Sequence, residues 1–457
     1  MARPHRGDRL TVDVIDLAFG GEGVARADGY VVFVPGGVPG DRLEVRLVQV
    51  RPRFARGEIE RVLTPSEHRT EPPCPYFGRC GGCRLQHIRY EAQLEFKQRQ
   101  VAECVSRLGG LGPAAGVPLR PIIAAPDVYG YRNKMEFTFA ESEGQAIVGL
   151  HEAERYDRIL DIERCLLQPE AMNAILGEVR AFVRERGWAV YQPEREDGLL
   201  RFLVLREGRA TGERMVNLVT TSPDVATARA LADRLRERCP GVASVVLNVN
   251  PKKAAVAVGV EEHPIAGNER IRERLGGLEF AISASSFFQT NTRQAERLFG
   301  IVVEYAELTG RETVVDLYSG TGAISLLLAR QAHAVYGIEL VPAAIEDATR
   351  NAAANGIANC TFLAGEVRNV LPELLRRGVR AEVVVADPPR AGFHPKALRT
   401  VLALAPGRLV YVSCNPGTLA RDLGVLVAGG YRLDAVQPID MFPHTPHIEV
   451  VARLTRV

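Results

Sequence analysis

Apolar and polar positions alternate along most of the first 63 residues. Leu10-Thr11-Val12-Asp13-Val14-Ile15 reads as a strand with one buried face, and Gly20-Gly21-Glu22-Gly23 as a turn. Tyr30-Val31-Val32-Phe33-Val34 is a second strand, Pro35-Gly36-Gly37 a second turn, and residues 43–50 alternate as a third strand. A fourth strand begins among Arg46, Arg51, Arg53 and Arg56. Short strands between glycine turns predict a small β-barrel over residues 1–63. Residues 64–75 are polar and proline-rich, which suits a linker. Over residues 90–108 the period lengthens to that of a helix, with Leu94, Val101, Val105 and Leu108 on one stripe. Gly109-Gly110-Leu111-Gly112-Pro113 stops it. Between Tyr131 and Gly259 strands and helices mix. Strands are expected at 135–139, 202–205 and 245–249, and helices at 171–187 and 226–239, so an α+β domain follows. After Ser283 short apolar runs at 313–317, 334–338, 360–363, 383–386 and 409–413 alternate with helical segments. That pattern predicts an α/β unit with a doubly wound parallel sheet.

Composition narrows the class. A chain of 457 residues argues for about three domains at roughly 150 residues each. A formal net charge of only +2 means that a nucleic-acid surface has to come from local patches, such as the barrel arginines. No run approaches the ~18 apolar residues of a membrane span, and Met1-Ala2-Arg3-Pro4-His5-Arg6-Gly7 has no apolar stretch. Eight cysteines spread over this length do not resemble a secreted disulfide framework. A cytoplasmic protein without membrane contact is expected.

Candidate chemistry gathers at the ends of the predicted parallel strands, where such sheets bind ligands. Asp316-Leu317-Tyr318-Ser319-Gly320-Thr321-Gly322 is a glycine-rich strand-to-helix turn, and Glu339 closes the next strand about twenty residues on, placed for ribose hydroxyls. The pair suits NAD or S-adenosylmethionine, but the third glycine of the dinucleotide fingerprint is missing. Asp387-Pro388-Pro389 and Cys414 end two further strands. Buried strand cysteines are commonly inert. Cys414 instead sits where Asn415-Pro416-Gly417 turns the chain at the rim. A thiol beside a methyl donor suits activation of a pyrimidine: addition at C6 makes C5 nucleophilic, and a base then removes the C5 proton. Glu449, before the last apolar run, is the candidate base, with a solvated strand glutamate as the alternative.

Cys74-Pro75-Tyr76-Phe77-Gly78-Arg79-Cys80-Gly81-Gly82-Cys83 puts three soft ligands in one glycine-bearing loop, pointing to zinc or an iron–sulfur cluster. Cys104, Cys165 and His87 are the candidates for a fourth ligand, Cys104 lying on the helical stripe.

Together, Phe287-Phe288-Gln289-Thr290-Asn291, the Asp316–Gly322 turn, Asp387-Pro388-Pro389-Arg390, Ser413-Cys414-Asn415-Pro416 and His447-Ile448-Glu449 resemble, in order and spacing, the RNA uracil-C5 methyltransferase family. The resemblance implies that Cys414 attacks C6 and Glu449 takes the C5 proton. It also implies that Gln289, Tyr318, Glu339 and Asp387 surround S-adenosylmethionine, with Phe287 near the target base. Glu366 stands where the family often carries aspartate near the adenine. The N-terminal region resembles the TRAM barrel, an OB-like RNA-binding module. In the branch with that barrel a Cys-x5-Cys-x2-Cys run and a distant cysteine bind a 4Fe-4S cluster, which implies Cys74, Cys80, Cys83 and Cys165 as ligands. Tyr131-Arg132-Asn133-Lys134 resembles a family stretch and makes Arg132 an RNA contact.

The implied organisation is a barrel over 1–63, a central α+β domain with the cluster over 74–88 and 118–282, and a Rossmann-like methyltransferase domain over 89–117 and 283–457. The implied substrate is structured RNA, 23S ribosomal RNA first and transfer RNA as the alternative, for a monomeric enzyme. Two other classes are considered. Enzymes that methylate exocyclic amines carry an aromatic residue after a similar Pro-Pro turn, where this chain has Arg390. A non-catalytic RNA-binding protein or chaperone would not require Cys414 and Glu449 together.

Overall fold

A computed structural model describes residues 4–111 and 119–457. Gly112 and Pro113 of the expected helix stop, and the expected boundary at 117/118, lie outside the described residues. The first five strands are β1 (Arg9–Leu17), β2 (Glu22–Ala27), β3 (Tyr30–Pro35), β4 (Arg42–Val50) and β5 (Phe54–Thr64). They form a closed barrel in the order β1-β2-β3-β5-β4. Its alternating residues Val12, Val14, Val32, Val34, Leu43, Val45 and Leu47 fill the interior. The barrel has one strand more than the four that the sequence pattern predicts. The start of β2 reads as a turn because its inward positions are Gly23 and Ala25, which carry no hydrophobic signal. Gly23 is required there: a Cβ would lie 2.8 Å from Gly37 O and 2.9 Å from Val14 Cγ1. Of the four barrel arginines, Arg46 pairs with Glu58 at 2.6 Å and Arg56 with Glu22, whereas Arg51 and Arg53 face solvent. The linker is fastened to the barrel, since buried Asp41 accepts from Ser66 N at 2.9 Å and Arg69 Nε at 2.7 Å.

Helix α1 (Tyr90–Glu103) runs into a π-turn at Cys104–Leu108. The expected stripe is only half right. Val101 and Val105 are buried, Leu94 is half-buried and Leu108 is 64% exposed. Two positions of the true buried face are polar. Gln93 Nε2 donates to Leu85 O at 3.0 Å and Ile88 O at 2.8 Å, and Lys97 Nζ donates to Asp440 Oδ1 at 2.6 Å.

The central sheet contains β6 (Lys134–Ser142), β7 (Gln145–Glu152), β8 (Arg155–Asp161), β9 (Leu200–Glu207), β10 (Arg214–Thr220), β11 (Val242–Val249) and β12 (Glu261–Gly267). Their order is β12-β11-β10-β9-β6-β7-β8, and α2 (Glu170–Arg186) and α3 (Val225–Arg238) share its core. Four of these strands, β7, β8, β10 and β12, are not predicted by the sequence pattern. Two of them, β7 and β8, end in polar residues and are joined by a tight turn at Glu154. The hairpin β13 (Ile271–Leu275) and β14 (Leu278–Ile282) follows.

The last sheet holds β15 (Thr313–Leu317), β16 (Ala334–Glu339), β17 (Cys360–Ala364), β18 (Val383–Ala386), β19 (Arg408–Ser413), β20 (Tyr431–Ile439) and β21 (Glu449–Arg456), in the order β17-β16-β15-β18-β19-β21-β20. Helices α4 (Thr292–Ala306), α5 (Ala323–Ala329), α6 (Pro342–Ala354), α7 (Val367–Arg376), α8 (Pro395–Leu404) and α9 (Pro416–Ala428) flank it. Successive strand residues enter opposite cores: Val383 and Val385 pack on one side, Val384 and Ala386 on the other. Burial on both faces explains the unbroken apolar runs. The sheet is not wholly parallel as expected, because β21 runs antiparallel to β19 and β20. Strand order reverses between β15 and β18, which opens a crevice at their carboxyl ends. No helix among the described residues is long and apolar enough to cross a membrane.

Candidate active site

The glycine-rich turn after β15 is built with strain. Tyr318 has φ +68°, a region costly for a bulky side chain, and its N–H is held by Ile338 O at 2.9 Å. Glu339, at the end of β16, accepts from Gly320 N at 3.0 Å and Val341 N at 2.9 Å. The acid predicted to hold a ribose therefore also pins the turn. Gly320, at φ +53°, has nothing near the place a Cβ would take, which leaves the turn open to the crevice.

That crevice is a cavity of ≈ 1160 Å³ lined by Phe287, Gln289, Tyr318, Glu339, Asp387, Cys414 and Glu449. Seven predicted residues from six separate segments thus share one space. Phe287 is 65% exposed at its mouth. Glu366 also lines the cavity, but Arg368 Nε binds its carboxylate at 2.7 Å. Glu449 is only 7% exposed, so the solvated-glutamate alternative fails. Burial, then the charge of Asp387, holds its carboxyl well above the usual range, with Arg390 opposing. Burial pushes Asp387 up to about 6 and Asp316 to about 7, the hydrogen bond from Ser325 opposing the latter. Burial and the nearby Glu449 and Asp387 push the Cys414 thiol up to about 11. Asn415 joins two of the motifs: its Oδ1 caps α9 from Gly417 N at 3.0 Å, and its Nδ2 donates to Arg390 O at 3.2 Å.

The supports of this site were mostly invisible in sequence. Asn133 Nδ2 donates to Gln289 O at 2.9 Å and Thr292 Oγ1 at 2.8 Å, tying the Phe287–Asn291 segment to the central sheet. Buried Arg206 donates to Ser286 O. Phe442 and His447 also line the cavity, on the loop that leads to Glu449. Only Asn133 and His447 carried a signal, as parts of the Tyr131–Lys134 and His447–Glu449 stretches.

A second cavity, of ≈ 330 Å³, is lined by Cys74, Cys80, Cys83 and Cys165; Arg132 and Lys134 border it rather than the first. Cys104 and His87 do not line it. Every cysteine is free. Burial pushes Cys83 up to about 12 and Cys165 to about 11, with the charges of neighbouring thiols adding to the effect. No three His, Cys, Asp or Glu side chains among the described residues are arranged to hold a metal ion.

Residues 4–59 match the family model of the TRAM domain, and residues 257–457 that of the tRNA (uracil-5-)-methyltransferases. An uncharacterized RNA methyltransferase of Halalkalibacterium halodurans is 44% identical over 450 residues, covering 98% of this chain and 97% of its own. One of Gloeobacter violaceus is 43% identical, covering 99% and 97%. The Pyrococcus abyssi tRNA (uracil-54, C5)-methyltransferase, solved with S-adenosyl-L-homocysteine, is 31% identical with a TM-score of 0.77, covering 98% of this chain and 100% of that one. The chain belongs to the RNA uracil-C5 methyltransferase family. This methyltransferase therefore takes S-adenosylmethionine and acts on RNA, and the amine-methylating reading ends here. The crevice fits the donor: it is large enough for a nucleoside, it opens beside a bare glycine turn, and its acids complement a sulfonium cation.

Proposed function

We propose that this methyltransferase methylates C5 of a uridine in 23S ribosomal RNA, in the cytoplasm, through a transient bond between Cys414 and C6. The observation that carries the reading is the meeting of Cys414, buried Glu449 and the strand-end carboxylates in one cavity. S-adenosylmethionine supplies an electrophilic methyl group. Gln289, Tyr318, Glu339 and Asp387 hold that donor, and Phe287 meets the target base at the mouth. The Cys414 thiolate adds to C6, and the C5–C6 π electrons move into an enolate over C5, C4 and O4. C5 takes the methyl group as the sulfur–methyl bond breaks with its electron pair left on sulfur, so the donor departs as S-adenosyl-L-homocysteine. Glu449 removes the C5 proton, the C5–C6 double bond re-forms, and the C6–S bond breaks to return the thiolate.

Four thiols on one small cavity support a 4Fe-4S cluster held by Cys74, Cys80, Cys83 and Cys165. Buried neighbouring thiolates repel one another, and iron offsets that cost. The unit would consist of a barrel (1–63), a cluster-bearing centre (74–88 with 118–282) and a catalytic part (89–117 with 283–457), acting as a monomer. The Lys97–Asp440 pair between α1 and the last sheet supports the third grouping.

A transfer-RNA uridine is the second reading, favoured by the full-length likeness to a tRNA (uracil-54, C5)-methyltransferase. RNA carrying 5-fluorouridine tests the chemistry, because fluorine at C5 cannot leave as a proton. A denaturation-stable protein–RNA adduct is expected with the native chain and none with Cys414→Ala; methylation by Cys414→Ala would refute the covalent route. Mapping the 5-methyluridine lost from a deletion strain separates the ribosomal from the transfer-RNA substrate.

A further inference from the structure

Neighbouring residues of the Phe287–Asn291 segment face different cavities. Gln289 lines the reaction cavity, and Thr290 lines the cysteine cavity behind it. Rotation of the backbone here would carry the Gln289 side chain away from the crevice. What fixes that backbone is Asn133, just before β6. Its Nδ2 donates to Gln289 O at 2.9 Å, and its backbone N–H donates to Thr290 O at 2.8 Å. Two successive carbonyls are thus held by one residue. Asn133 is in turn tied to the central sheet, because its own carbonyl accepts from Glu207 N, at the end of β9, at 2.8 Å.

A buried chain of hydrogen bonds continues from Asn133 into the hairpin. Asn133 Nδ2 also donates to Thr292 Oγ1 at 2.8 Å, in the first turn of α4. Thr292 Oγ1 donates to Glu273 Oε2 at 2.7 Å. Glu273 lies in the middle of β13 and is 0% exposed. Its carboxylate accepts further from Arg209 N at 2.8 Å, Ala210 N at 2.9 Å and Arg274 N at 2.9 Å. All four donors are uncharged amide or hydroxyl groups, and each is needed to offset the desolvation of the carboxylate. The directions along the chain are forced. A carboxylate only accepts, so the Thr292 proton points at Glu273 and the hydroxyl lone pairs face Asn133. A carbonyl only accepts, so the Asn133 amide must present its nitrogen to Gln289 O. Glu273 thereby selects one orientation of Thr292 and Asn133, and a bond to a carboxylate is stronger than one between neutral groups.

We propose that Glu273 and Thr292 are positioning residues for the methyl donor: by orienting Asn133 they hold Gln289 toward the reaction cavity. The inference rests on the donor role given to Gln289 above. Neither Glu273 nor Thr292 lines the cavity, so their effect on the donor passes through Asn133 and Gln289.

The test is calorimetric binding of S-adenosyl-L-homocysteine to the full chain. Donor KM and kcat are measured alongside, with total RNA from a deletion strain as methyl acceptor. Thr292→Val keeps the shape of the side chain and removes the hydroxyl. It is expected to raise the Kd roughly three- to tenfold, with the loss appearing in donor KM and not in kcat at saturating donor. Thr292→Ser restores the hydroxyl and should return the Kd to within about twofold of native. Glu273→Gln turns an amide N–H toward groups that are themselves donors and should act in the same direction as Thr292→Val. If it does not fold, the two Thr292 variants decide. On a Gln289→Ala background Thr292→Val should add nothing, because the side chain that it aims is gone. Native affinity in Thr292→Val would overturn the proposal, as would a serine variant no better than valine, or additive losses in the double variant. Native affinity in Gln289→Ala would instead overturn the donor role of Gln289 itself.

Discussion

Cys414 is placed to react but is not ionised in the free protein. Its thiol is pushed up to about 11 by burial and by Glu449 and Asp387, whereas an ordinary cysteine lies near 8.5. The reactive thiolate is therefore a small fraction at neutral pH and grows as pH rises toward the thiol's own value. Glu449 is also raised and must lose a proton before it can serve as a base, so both groups act in the same direction. Methyl transfer at subsaturating RNA is expected to rise by up to about tenfold per pH unit between pH 6 and 9. A flat profile over that range would contradict these assignments. Glu449→Gln removes the base but not the nucleophile. Turnover should fall by roughly 10²–10⁴, while a covalent adduct accumulates on ordinary uridine RNA. Release of methylated RNA at the native rate would show that another group takes the proton. The motif residues themselves were legible in sequence. The state of Glu449 was not, because burial of a strand's first residue depends on what packs over it.

At the scale of elements, α1 illustrates where pattern reading fails. Its stripe was sought among leucines and valines, yet the buried face includes Gln93 and Lys97, whose partners lie in the segment 440–444 and in the cysteine loop. A polar residue can occupy a core position only when a distant partner satisfies it, and no local periodicity shows that partner. Lys97→Met leaves Asp440 buried without a counter-charge and is expected to cost about 3–5 kcal/mol in urea unfolding. Lys97→Met with Asp440→Leu should recover most of that loss. A single variant as stable as the native chain would mean that water reaches Asp440. The parallel strands were easier to locate, since each sends alternate residues into two cores and so reads as a continuous apolar run. By the same logic β2 was lost, its inward residues being glycine and alanine.

Across the whole molecule the two cavities are linked through one segment. The cysteine loop bonds to His444 O, and the same segment delivers Phe442, His447 and Glu449 to the reaction cavity. Anaerobically purified protein is expected to be brown, with iron and sulfide in equal amounts; stoichiometric zinc would sink the cluster assignment. Cys83→Ser should lower iron content with donor affinity preserved, because Cys83 lines the small cavity and not the donor crevice. Full iron content in that variant would show that Cys83 is not a ligand.

By itself the sequence determined the fold class, a TRAM barrel at one end of the chain and a methyltransferase fold at the other, where the family models match residues 4–59 and 257–457. It also determined the donor class and the motif residues around Cys414. These are encoded locally, in turn chemistry at strand ends and in apolar runs, so they survive reading one segment at a time. Only the tertiary structure decided that Arg132 borders the cysteine cavity, that Arg390 lines the reaction cavity beside Cys414 and Glu449, and that Lys97 is spent on Asp440. Those facts depend on pairs of residues up to hundreds of positions apart. Whether a charge is paired or left free for a ligand is a property of such pairs, and no single segment contains it.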